Sequence, residues 1–78
     1  MISGGAGYSQ CYTFHGDGDI SAASAVQAHL REYGTCSYFN WDPRPPCWRF
    51  FYETNLTQIE VEQVLGSMLN RFNIVVVP

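Results

Sequence analysis

His15, Asp17 and Asp19 stand at alternate positions in a glycine-rich stretch, an imidazole and two carboxylates that could gather around a cation. Their spacing does not match the twelve-residue calcium loop, and two glycines with two aspartates are also the chemistry of a turn. Carboxylates there also suit the positive end of a following helix. The three residues are therefore kept as the only candidate metal ligands, and no metal or other cofactor is expected. The thiols are Cys11, Cys36 and Cys47, an odd number without a C-x-x-C pair. Neither a disulfide framework nor a zinc site follows; each thiol reads as a small hydrophobe in a reduced, cytoplasmic setting. On a continuous strand Cys11 and His15 would lie about 13 Å apart, too far for a thiolate–imidazole pair. Nothing basic is placed to activate Cys11. No catalytic residue is assigned, and an enzyme is not expected.

Charge narrows the partners. The 78 residues carry Lys+Arg 4 against Asp+Glu 7, a net charge of -3. The four basic residues, Arg31, Arg44, Arg49 and Arg71, are scattered. Direct nucleic-acid binding starts from a basic patch, and none is written here. No apolar run approaches the roughly 18 residues that span a bilayer, and Met1 to Gln10 lacks the basic and apolar regions of a secretory signal. Charged residues make up 14% and aromatic residues 15% of the chain, against a charged fraction of about 25% in ordinary soluble domains. Either a second protein covers part of this surface, or a small core simply needs large side chains.

The elements that must position these groups follow from periodicity. Residues 1–7 form a Gly-rich leader, expected to be flexible, and 8–78 a single domain. Tyr8 to Phe14 alternates as a strand, which the His15–Asp19 turn is expected to end. From Ser21 the period becomes helical, with Ala23, Val26, Leu30 and Tyr33 on one stripe and Gln27 and Arg31 pointing elsewhere. Ser21 or Asp19 can cap its start, and Gly34 suits the left-handed position after its end. Cys36–Trp41 and Cys47–Glu53 are strands joined through Asp42-Pro-Arg-Pro-Pro46, whose prolines cannot serve a ladder. A hairpin register sets Phe39 opposite Phe50, Trp41 opposite Trp48, and Tyr38 opposite Phe51.

Thr57-Gln-Ile-Glu60 is a capping box, and Leu56 with Val61 supplies its hydrophobic staple. Val61, Val64, Leu65, Met68 and Phe72 make the buried stripe of this second helix. Gly66 in its middle suggests a close neighbour, for which the alanine side of the first helix is the candidate. Asn73 caps the end before a last strand, Ile74–Val77.

The order β-α-β-β-α-β predicts an α+β fold, a ferredoxin-like sandwich with a four-stranded antiparallel sheet and both helices on one face. The expected strand order is 4-1-3-2. The other face stays open. Charge is costly to bury, so Arg49 and Glu53 face outward. The open face is then Cys11, Thr13, Tyr38, Asn40, Arg49, Phe51 and Glu53, while Phe39, Trp41, Trp48 and Phe50 face the helices.

This surface points to a small protein-interaction module, an inhibitor or adaptor that docks its open face, its hairpin tip, or both on a larger assembly. Tyr, Phe and Arg are the residue types that anchor interfaces. The expected partner-binding residues are Tyr38, Asn40, Arg44, Arg49, Phe51 and Glu53. Arg44 qualifies through its place on the proline-stiffened tip between Trp41 and Trp48. On size and style alone, phage-encoded inhibitors of bacterial defence complexes, such as anti-CRISPR proteins, are one such class. The acidic residues would then cover a partner's nucleic-acid-binding arginines and lysines. A sheet-to-sheet homodimer with a small-molecule or metal site at its seam is the alternative. A third reading, an RNA-recognition-motif-like domain, lacks a stacking ring on the first strand, where Cys11 and Thr13 stand. The fold also hosts acylphosphatases and heavy-metal-associated domains, but the acidic loop lacks the phosphate-cradling Arg of the former and the C-x-x-C of the latter.

Overall fold

The computed structural model describes residues 7–78, so the expected leader, Gly7 apart, lies outside the described residues. The elements are β1 (Gln10–Asp17), α1 (Ile20–Leu30), β2 (Gly34–Pro43), β3 (Pro46–Thr54), α2 (Gln58–Leu65), α3 (Met68–Arg71) and β4 (Val75–Val77). The strands form one sheet in the order β2-β3-β1-β4, every pairing antiparallel. The architecture is α+β. β1 and β2 therefore run the same way with β3 between them, and β3 and β4 run the same way with β1 between them. Among the described residues no helix is long and apolar enough to cross a membrane.

Alternation along the two central strands builds the core. Tyr12 and Phe14 of β1 and Trp48, Phe50 and Tyr52 of β3 share one face, where they meet Ala23, Val26 and Leu30 of α1 and Val61 and Leu65 of α2. Phe14 stacks on Phe50 with centroids 5.0 Å apart, and Tyr52 meets Phe14 edge-on at 5.7 Å. The buried hydroxyls are satisfied locally, as burial requires, whereas the Trp48 indole nitrogen is buried without a hydrogen-bond partner. The Tyr52 hydroxyl donates to the Leu30 carbonyl at 2.6 Å, Tyr12 to Leu56 at 2.9 Å, and Thr54 to Tyr33 at 2.7 Å. These bonds tie the end of α1 and the approach to α2 onto the sheet. Burial pushes both tyrosine hydroxyls above their ordinary titration range, with the Glu60 carboxylate adding to the effect at Tyr12.

The helix ends follow their caps. Asp19 accepts from the Ala22 amide at 3.1 Å and so starts α1. Thr57 and Glu60 form both bonds of the capping box, at 3.3 Å and 2.9 Å. Asn73, at φ +50, closes α3 with bonds from its own amide to the Asn70 carbonyl and from the Ile74 amide to the Leu69 carbonyl. That pairing is the Schellman arrangement, with Asn in the left-handed position.

Several expectations need correction. β1 does not stop at Phe14; its alternation continues through Asp17, because Gly16 takes the core-facing place and leaves room for the Trp48 ring. α1 ends at Leu30, so Tyr33 leaves the buried stripe and is exposed, while Gln27 turns out to be buried and accepts from Arg31 at 3.3 Å. Gly34 is not a left-handed cap but the first residue of β2, pressed against the Glu53 backbone and the Tyr52 ring. The second helix is not continuous: Gly66, at φ +55, ends α2, and α3 follows as a separate turn. No alanine packs against Gly66, which is exposed; its role is conformational. β4 begins at Val75, one residue later than expected.

The largest correction concerns β2. Between the pairs Ser37–Phe51 and Asn40–Arg49 the strand carries a bulge, two residues opposite Phe50 alone. The inserted residue reverses which side chains face the helices: Cys36 packs against the core on one side of the bulge and Trp41 pairs with buried Trp48 on the other. Phe39 therefore does not pair with Phe50, and it is exposed. Trp41 is exposed too, at the rim of the core side, where its indole donates to the Gly18 carbonyl at 3.3 Å.

Candidate functional site

The face of the sheet turned away from the helices is the candidate site. β3 runs through its middle and presents Arg49, Phe51 and Glu53, all exposed, because Trp48, Phe50 and Tyr52 are held in the core. β1 adds exposed Cys11 and His15 with half-buried Thr13 between them. β2 adds Asn40, paired with Arg49.

Tyr38 reaches this face by way of the bulge. Its Cα partner is not Phe51, which pairs with Ser37, yet its ring packs on Phe51 with centroids 5.5 Å apart. Tyr38 is 77% exposed and has φ +53. The left-handed region costs a residue with a Cβ about 1–2 kcal/mol, and little of the ring is buried in return. Exposed aromatic surface and backbone strain thus coincide in one residue.

Arg44 does not belong to this group. It sits in the turn beyond the Pro43–Pro46 pair, where its amide donates to the Asp42 carboxylate at 3.0 Å. Phe51 lies five positions along β3 from Pro46, about 17 Å of extended chain. The tryptophans expected to flank it are occupied elsewhere, Trp48 in the core and Trp41 over Gly18. Of the six expected partner residues, the fold groups Tyr38, Asn40, Arg49, Phe51 and Glu53 and sets Arg44 apart.

The candidate metal ligands do not converge. His15 and Asp17 lie on the open side of β1, whereas Asp19 lies past it as the α1 cap. Asp19 accepts from the Ser21 hydroxyl at 2.6 Å, and this bond first, then that from Ala22, holds its carboxyl below the ordinary range. Asp17 accepts from the Asn73 side chain at 3.0 Å. Among the described residues no group of three His, Cys, Asp or Glu side chains is placed to hold a metal ion.

What the sequence did not reveal is a shallow cleft of about 600 Å³ at the hairpin end of this face. Cys47 lies there between Asp17 and Asp42, its cross-strand neighbours, with His15, Asn40 and Arg49 beside them. The signal that could have found it is the unbroken alternation of Phe14, His15, Gly16 and Asp17. The three cysteines are free. Burial pushes the Cys36 thiol above its ordinary value, with Arg31 offsetting part of the effect, which makes it a poor nucleophile.

No family model matches this chain, and neither a curated protein nor a solved structure does. The geometry of the face is the ground on which a function can be argued.

Proposed function

We propose that the chain is a small non-catalytic protein-interaction module, an inhibitor or adaptor, that docks its helix-free sheet face on another protein. The observation that carries this reading is Tyr38, a strained aromatic held out in solvent and braced on Phe51. Strain of this kind persists where a function uses it, and rigid aromatics ringed by polar groups are the anchors of protein interfaces. Arg49 and Glu53 supply that ring. The net charge of -3 favours a partner with a basic surface, such as one that binds nucleic acid.

We read the fold more finely as a ferredoxin-like sandwich. The two strand–helix–strand units, each with a strand of the other unit between its own strands, support it. The free thiols support action in a reducing cytoplasm.

Affinity capture from the native host tests the proposal, with the wild type compared against Phe51→Ala and Arg44→Ala. The expected result is a partner retained by Arg44→Ala and lost from Phe51→Ala. An identical set of captured proteins from wild type and Phe51→Ala contradicts it.

A further inference from the structure

We infer that, in the free protein, the helix-free face is covered by a second copy of the same chain, with the two sheets packed face to face about a two-fold axis. This rests on the reading of that face as a docking surface and names its occupant until another partner displaces it.

The ground is the order of charge across the face. Phe51 lies in a row with Ser37 of β2, Thr13 of β1 and Val77 of β4, none of them charged. The next outward row toward the hairpin is Asn40, Arg49, His15 and Val75. On the other side it is Thr35, Glu53 and Cys11. A cationic row and a carboxylate row thus flank an uncharged one. Arg49 and Glu53 are about 13 Å apart along β3, out of reach of each other within one chain.

A two-fold axis lying between the sheets, perpendicular to the strands and over Phe51, turns that separation into complementarity. The two β3 strands then face each other antiparallel, Phe51 meets its own copy, and each Arg49 stands over the other copy's Glu53. Packed sheets lie about 10 Å apart, a gap that an arginine and a glutamate reaching toward each other can close. The other in-plane axis, along the strands, sets Arg49 on Arg49 and Glu53 on Glu53 and is disfavoured by like charge. Exposed Tyr38 at one edge and Val77 at the other widen the apolar centre.

Sedimentation equilibrium of the full chain from micromolar to millimolar concentration tests this. The expected result is a concentration-dependent monomer–dimer equilibrium. Arg49→Glu and Glu53→Arg should each weaken it by about tenfold or more, and the double variant should return it close to wild type. Both positions are exposed, and circular dichroism verifies that each variant is folded. A wild type that stays monomeric throughout, or a folded double variant that fails to recover, overturns the inference. A monomer whose captured partner still depends on Phe51 overturns only the second copy; a monomer whose capture is indifferent to Phe51 overturns the docking surface as well.

Discussion

Tyr38 sets local conformation against exposure. Its φ of +53 suits glycine, yet the position holds a large ring that is mostly in water. Replacement therefore has an unusual expected order. Tyr38→Ala keeps the strained backbone and loses the contact with Phe51, whereas Tyr38→Gly loses the same contact and relieves the strain. The glycine variant should be the more stable of the two by about 1 kcal/mol, the reverse of the usual strand preference. Urea denaturation measures the difference, and an alanine variant at least as stable as the glycine one would remove strain from the account. Tyr38 was legible in the sequence as an outward aromatic near Phe51. Its conformation was not, because nothing in Ser-Tyr-Phe-Asn marks which residue a strand will insert.

At the scale of elements, the parts fixed by local chemistry were readable and the parts fixed by distant contacts were not. The capping box at Thr57 and Glu60 and the stop at Asn73 depend on a few neighbouring residues, and both lie where the sequence set them. The end of β1 depends on Trp48, thirty-two positions beyond Gly16, so a turn-like composition concealed a strand. The β2 bulge likewise goes with contacts remote in sequence, Cys36 on the core at one side of it and Trp41 paired with Trp48 at the other. Two glycines separate these cases experimentally. A Cβ on Gly16 would stand 2.2 Å from the Trp48 ring, whereas one on Gly66 meets nothing closer than 3.9 Å. Gly16→Ala should cost about 3 kcal/mol and much less in a Trp48→Leu background. Gly66→Ala should cost about 1–3 kcal/mol for its sparsely populated backbone conformation alone, whatever occupies position 48. Denaturant midpoints in both backgrounds decide this, and a Gly16 cost unchanged by Trp48→Leu would contradict the packing explanation.

For the whole molecule, the outcome turns on the helices lying on one side of the sheet. Burying charge is expensive, so Arg49 and Glu53 point outward, and the alternation of β3 turns Phe51 to the same side. The cleft by the hairpin is not legible in the sequence, because its lining includes His15, Gly16 and Asp17, which join β1 only in the folded sheet. The proposed docking rests on the aromatics that the helix-free side exposes, Tyr38 and Phe51. The most direct measurement installs a photo-reactive phenylalanine analogue at Phe51, 39% exposed, and, separately, at Ile59 on α2, which is the more exposed of the two at 68%. After irradiation in the native host, protein adducts should form from position 51, whether with a second copy or another partner, and not from position 59. Adducts from position 59 with none from position 51 would contradict the assignment of the binding face.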